Sequence, residues 1–315
     1  MRKFMVDSVC FWTEEYKLGG FRFDLMGLHD IETMDQISAA VGRINPYAVI
    51  YGEPWTGGKT PLNVDDQAIQ ANVNRFKGYG QFNDQMRDAL IKGGLNAPDA
   101  TGWINSGQIS SGDVSTIQEG INGHTHNLAY SIDDPDKSVS YVTCHDNFTL
   151  YDRMKAAGIK DEETIRKMCI LAQAIVLTSD GTSFLLAGEE MLRTKQGDSN
   201  SYRSSDEINQ LDYSLNIRNH DVFENIRQLV AFKKDNVQLH AKDPDIEVEA
   251  LENGAVLKYE LKSGGNVYVV YHANGLCRNT TVEEDCTVFL DTLDLYEGDA
   301  EGLQLQPYQT LILIR

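Results

Sequence analysis

The sequence predicts an α/β protein: a parallel sheet carrying helices, followed by a small antiparallel β domain. Three observations lead there. Over residues 1–239, apolar runs of strand length alternate with segments of helical period. Polar residues gather where several of those strands end: Asp24, Glu53, His145-Asp146 and Glu189-Glu190. From residue 240 to 315 the texture changes to short strands joined by turn pairs such as Asn253-Gly254 and Gly264-Gly265. Parallel α/β folds build their sites at the C-terminal ends of strands. One site assembled from several strand ends is therefore expected.

The elements follow in order. Residues 1–17 read as a helix, because Met5, Val9, Trp12 and Tyr16 recur on one face. Trp12 is expected in the core. Gly19-Gly20 ends the helix. The next stretch, Gly20-Phe21-Arg22-Phe23-Asp24-Leu25, is a short strand. Alternation puts Phe21, Phe23 and Leu25 on one face and Arg22 and Asp24 on the other. A charged pair on a buried strand is costly unless it is matched. Ile31, Met34, Ile37 and Val41 mark a second helix, which His29-Asp30 would open as a cap. The strand at 47–53 ends in Glu53, with Val49 and Tyr51 on the same face. A third strand is expected at 79–83 and a short helix at 84–92. Residues 93–112, rich in Gly, Ser, Asn and Asp, read as a surface excursion anchored by Trp103. A strand at 139–144 leads to His145-Asp146-Asn147; both His145 and Asp146 cannot face inward, so the strand must end or bulge there. Helices follow at 148–157 and 161–178, then a strand at 182–187, a polar loop at 193–212 and a helix at 220–235. The closing strands are expected at 247–251, 255–261, 267–273, 287–290 and 310–314.

The balance of 28 Lys+Arg against 47 Asp+Glu gives 28 − 47 = −19. That argues against nucleic acid and anionic membranes as partners and suits a neutral substrate. No apolar run approaches the roughly 20 residues that span a bilayer. Asp7, Glu14 and Glu15 interrupt any signal-peptide core. The five cysteines show no metal spacing. Cys10, Cys144 and Cys169 read as buried thiols; for Cys277 and Cys286 the odd count favours free thiols over a bridge. Asp133, Asp134 and Asp136 fit no Ca²⁺ loop. No cofactor is expected; Ca²⁺ is left open, without support from the sequence.

Acids on neighbouring strands can meet, because parallel strands lie about 4.8 Å apart. Retaining glycoside hydrolysis needs two carboxyls about 5–5.5 Å apart, one attacking the anomeric carbon and one protonating the leaving oxygen. Arg22 beside Asp24 would keep that carboxylate ionised. Glu53, facing its charge in a partly dry cleft, would hold a proton.

Three stretches in this order resemble the second, third and fourth signature regions of the α-amylase superfamily: Gly20-Phe21-Arg22-Phe23-Asp24-Leu25, Tyr51-Gly52-Glu53-Pro54-Trp55 and Tyr141-Val142-Thr143-Cys144-His145-Asp146-Asn147. Met26-Gly27-Leu28-His29-Asp30, Phe82-Asn83-Asp84-Gln85-Met86-Arg87-Asp88, Gly188-Glu189-Glu190-Met191-Leu192-Arg193-Thr194-Lys195 and Asn200-Ser201-Tyr202 resemble the type I pullulanases. The resemblance implies the second half of a (β/α)₈ barrel, about strands four to eight, over 1–239, and a C-terminal β-sandwich over 240–315. It implies retaining hydrolysis of α-1,6 branch links in pullulan, amylopectin or limit dextrins. Asp24 would be the nucleophile, Glu53 the general acid/base and Asp146 the grip on the hydroxyls of the distorted sugar. Arg22 and His145 would line the same subsite, Trp55 would stack on the leaving-side sugar, and Asn200 and Tyr202 would border the cleft. Glu189 and Glu190 read as structural.

Cys144 and Tyr213 stand where the family usually has a small residue and Trp. The family's first three strands, with a signature Asp and His, have no counterpart here. The chain is thus expected to be a fragment whose physical partner is the other half of the barrel, and to be associated or inactive alone. A cytoplasmic location is expected, with secretion open. An α-1,4-acting amylase and a non-catalytic α-glucan-binding remnant remain as alternatives.

Overall fold

The computed structural model describes residues 1–92, 99–126, 130–236 and 246–315. The expected boundary at 239/240 lies outside them. The chain divides into two compact units, residues 1–83 with 123–139, and residues 84–122 with 140–315.

In the first unit α1 (Arg2–Tyr16) leads to β1 (Gly20–Phe23), α2 (Ile31–Ile44) and β2 (Val49–Gly52). β3 (Gly80–Phe82) follows, and a two-residue ladder joins β4 (Thr125–His126) to β5 (Ser131–Ile132). Asp30 caps α2 by accepting the Thr33 amide at 2.8 Å, as expected of that residue. Strands β1, β2 and β3 run parallel, and β3 pairs in parallel with β6 (Ser138–Ser140) through Gln81 and Phe82. Phe21 and Phe23 pack on the cluster formed by Met26, Met34, Ile37, Val41 and Ile50. Trp12 departs from expectation. It is 42% exposed and packs against Phe11 and Tyr16 on the outer face of α1, while Val9 and Thr13 turn inward. The periodic residues of α1 thus include a face that the described residues leave open.

In the second unit α3 (Asp84–Ile91) packs against α4 (Ser111–Ile121). This helix was not expected within and beyond the Gly-rich excursion. Ser110 caps it, and Val114, Ile117 and Ile121 form its buried face, but Gly112 and Gly120 lower its helical propensity. Gly120 is needed for packing: a Cβ there would lie 2.7 Å from the Met86 side chain. Trp103 anchors the excursion as expected. It is 1% exposed, and its Nε1 donates to the Gly254 carbonyl at 2.7 Å.

α5 (Leu150–Ala156), α6 (Glu162–Thr178) and β7 (Thr182–Ser183) come next, with the Phe184 amide donating to the Ser140 carbonyl at 2.9 Å. The short α7 (Asp206–Asn209) and α8 (Ser214–Arg218) precede α9 (His220–Asp235), which packs on α6. The expected strands at 139–144 and 182–187 are shorter, because each gives way to the irregular backbone that carries polar groups.

The last part is one antiparallel sheet of β8 (Glu249–Leu251), β9 (Val256–Ser263), β10 (Asn266–Ala273), β11 (Thr287–Asp291) and β12 (Thr310–Ile314), in the order β11-β12-β10-β9-β8. Alternate residues face two cores. Leu257, Tyr259, Val270 and Ile312 join the helical core with α6 and α9, while Val269, Tyr271, Leu311 and Leu313 cover Cys277, Val282, Ala300 and Leu305. Among the described residues the second layer is this loop-rich segment rather than a second full sheet. Cys169, Cys277 and Cys286 are buried free thiols; Cys10 and Cys144, expected to be buried, are only partly so.

Candidate active site

The site in the first unit follows from strand register. Gly20 pairs with Val49, Phe21 with Ile50, Arg22 with Tyr51 and Phe23 with Gly52. One step further, Asp24 stands opposite Glu53. The ladder continues into the site, since the Glu53 amide donates to the Phe23 carbonyl at 3.0 Å. Arg22 lies between the acids. Its Nη1 donates to Asp24 Oδ1 at 2.9 Å, and its Nη2 is 2.9 Å from Glu53 Oε1. The guanidinium also lies over the Phe82 ring, 5.9 Å from its centroid.

The two carboxyls have different surroundings. The Glu53 side chain is 6% exposed and that of Asp24 68%. Burial, above all, pushes the Glu53 carboxyl above its ordinary range; the Leu25 amide and Arg22 oppose that, and the charge of Asp24 and a side-chain hydrogen bond to it add to it. Glu53 Oε2 accepts the Leu25 amide at 3.0 Å. To present that N–H, Leu25 turns into the left-handed region at φ 44°. The loops after β1 and β2 then interlock: the Gly27 amide donates to the Trp55 carbonyl at 3.2 Å. A Cβ at Gly27 would lie 2.8 Å from that carbonyl carbon, so only glycine permits the approach. Trp55 is half-buried beside the acids' loops.

The second unit holds the other expected residues. After β6 the backbone becomes irregular, and Asn147 adopts φ 65°. His145 and Asp146 are side by side and exposed, with Nε2 3.6 Å from Oδ1. Asn200 and Tyr202 lie on an exposed segment, where the Asn200 amide donates to Asp198 Oδ1 at 2.8 Å. Arg22, Asp24 and Glu53 are thus brought into direct contact within one unit, and His145 with Asp146 within the other. Glu189 is fully buried. Its carboxyl accepts the Leu186 amide at 3.2 Å and bonds the Thr143 hydroxyl; burial pushes its pKa well up. The same loop contains Lys195, which sequence reasoning passed over. It is 2% exposed, and its Nζ donates to the His145 carbonyl at 3.0 Å. A Lys within a polar loop reads as solvated, so only its burial marks it.

Asp133 and Asp134 are engaged locally: Asp133 accepts Asn74 Nδ2 at 2.6 Å, and Asp134 caps the turn at Pro135–Lys137. Among the described residues no helix is long and apolar enough to cross a membrane, and no group of three His, Cys, Asp or Glu is placed to hold a metal ion.

No family model matches the chain. A pullulanase of Bacillus subtilis (strain 168) is 39% identical over 238 residues, which are 74% of this chain and 32% of that protein. A pullulanase of Klebsiella aerogenes is 30% identical over 261 residues, 70% of this chain and 23% of that protein. Two solved structures align over the whole chain. A pullulanase of Anoxybacillus sp. LM18-11 complexed with maltotetraose matches with TM-score 0.89 and 30% identity, covering 100% of this chain and 46% of that one. The pullulanase of Bacillus acidopullulyticus matches with TM-score 0.86 and 32% identity, covering 100% and 40%. A parallel strand-helix sheet with paired acids at its strand ends, matched throughout by these structures, defines a member of the α-amylase class of glycoside hydrolases. Within that class the chain belongs with the pullulanases. It spans less than half the length of the solved relatives and about a third or less of the curated ones.

Proposed function

We propose that this chain carries the catalytic acids of a retaining debranching enzyme that hydrolyses α-1,6-glucosidic links in pullulan, amylopectin or limit dextrins. The observation that supports it most is the bridge Asp24–Arg22–Glu53 at adjacent strand ends. Asp24, exposed and paired with a guanidinium, attacks the anomeric carbon and forms the glycosyl-enzyme bond. Glu53, whose carboxyl pKa burial raises, gives its proton to the departing oxygen and then takes one from the incoming water. Asp146 grips the hydroxyls of the distorted sugar and His145 lines the same subsite. Trp55 stacks on the leaving-side ring. Asn200 and Tyr202 border the cleft.

The outer position of β1 and the exposed aromatics of α1 favour a further strand-helix segment as physical partner, covering both. The test is product analysis. Release of maltotriose from pullulan with linear amylose left intact supports debranching. Breakdown of amylose alone supports the α-1,4 reading. Binding of pullulan unchanged by Asp24→Ala, with no turnover before or after, supports a glucan-binding remnant.

A further inference from the structure

Lys195 is the one buried cation in the segment that carries Asn200 and Tyr202, and it is tied to the segment that carries His145 and Asp146. Its backbone is fixed first. The Lys195 amide donates to Asp152 Oδ2 at 2.6 Å, and the Thr194 hydroxyl donates to Asp152 Oδ1 at 2.5 Å. Asp152, itself 4% exposed, also accepts the Thr149 hydroxyl at 2.9 Å. With the main chain so held, the side chain reaches back and its Nζ donates to the His145 carbonyl at 3.0 Å. On the other side, the Lys195 carbonyl accepts the Asp198 amide at 3.0 Å, and Asp198 caps the Asn200 amide.

Burying an ammonium is expensive, and one neutral carbonyl does not offset it. Burial and Arg193 press the Lys195 pKa down, while Asp198, Asp152 and Asp146 hold it up. Asp146 is the last and weakest of these favourable charges, so the tie between the two segments is the contact of Nζ with the His145 carbonyl. The backbone at 141–149 has no strand or helix to fix it: β6 ends at Ser140, and α5 begins at Leu150. A loop in that condition needs an outside anchor if a side chain on it is to be held to a fraction of an ångström.

We propose that Lys195 is a positioning residue that fixes the His145–Asp146 loop so that Asp146 is presented to the sugar hydroxyls. This rests on the reading of Asp146 as the sugar grip. It assigns to the segment 194–200 a part in the reaction that its residues' exposure alone would not show.

The test compares Lys195→Met, which keeps the length and removes the charge, with Lys195→Arg, which keeps a donor to the carbonyl. In Lys195→Met, pullulan turnover is expected to fall about 10²-fold, the order a 1 Å misplacement costs. KM stays within about threefold, because the lost contact acts in the transition state. Amide hydrogen exchange at 145–147 accelerates. Lys195→Arg restores both. If Lys195→Met does not fold, Lys195→Gln, too short to reach the carbonyl, replaces it. Wild-type exchange at 145–147 in Lys195→Met overturns the proposal, as does a lowered Tm with turnover untouched. Asp146→Asn separates the two ideas. Full turnover in that variant defeats the reading of Asp146, while the exchange data, which need no turnover, decide whether Lys195 holds the loop.

Discussion

Arg22 and Glu53 meet across the ends of two adjacent parallel strands, with Nη2 2.9 Å from Oε1 and the carboxylate side chain 6% exposed. The same guanidinium holds Asp24 by its other nitrogen. One cation therefore touches two acids in unlike surroundings, one buried and one exposed. Burial and Asp24 raise the Glu53 pKa; Arg22 and the Leu25 amide restrain the rise.

That balance makes Glu53 adjustable. Asp24→Asn removes a negative neighbour and should lower the Glu53 pKa. Arg22→Met removes a positive one and should raise it. Carboxyl ¹³C titration of Glu53 reads both shifts without any turnover. In the parent chain the rate should fall as pH rises through the raised Glu53 pKa, because the proton donor is lost. In Arg22→Met that limb should move to higher pH. A Glu53 titration indifferent to both substitutions would show that the three groups do not form one electrostatic unit.

His272 predicts the acid stability. It is fully buried on β10, with Nε2 3.0 Å from the Thr178 and Tyr259 hydroxyls and Nδ1 2.9 Å from the Thr310 hydroxyl. Burial lowers its pKa to about 3. A depressed pKa means that the unfolded chain binds the proton first. The stabilisation is therefore fully present above the ordinary value of about 6.5 and is lost as pH falls from there towards about 3. The expected slope is about 1.4 kcal/mol per pH unit inside that window. Urea unfolding at a series of pH values measures it, and His272→Gln should flatten it.

Glu189 behaves in the opposite sense. Its raised pKa stabilises the fold below the ordinary carboxylate range, and that contribution fades as pH rises through the folded-state value. Glu189→Gln keeps the size and a donor and acceptor, and should hold Tm within a few degrees. Glu189→Ala strands the Leu186 amide and the Thr143 hydroxyl, at about 1–3 kcal/mol each. Thermal unfolding of the two variants separates these outcomes.

The outer face of α1 should govern self-association. Phe4, Phe11, Trp12 and Tyr16 are 42–70% exposed, and the last three rings contact one another. Contiguous aromatic surface of this kind favours association. Phe11→Ser with Trp12→Ser should raise the monomer fraction in sedimentation without lowering Tm, since neither side chain belongs to the core. An unchanged distribution would mean that the chain associates elsewhere or not at all.

Much of the site was legible because strand geometry is local. Alternation placed Arg22 and Asp24 on one face, and the ends of the two strands named Asp24 and Glu53. The sharing of Arg22 was not legible. Strand alternation pairs it with Asp24 alone, two residues away, whereas the parallel register brings it equally to Glu53. Trp12 misled for a related reason. Helical period marks a stripe as apolar but does not say what the stripe faces. α4 was hidden by Gly112 and Gly120; the low helical propensity of Gly120 is offset by its close packing on Met86.

Residue order by itself determined the alternation of strands and helices, the strand-end acids and the turn to antiparallel β structure, because these depend on periodicities and end signals within a few residues. Only the tertiary structure decided that Arg22 spans two carboxyls, that Glu53 is the buried one, that His272 is sealed among three hydroxyls and that Lys195 is buried beneath the His145 loop. Desolvation and register join residues dozens of positions apart, and no local pattern encodes which of them meet.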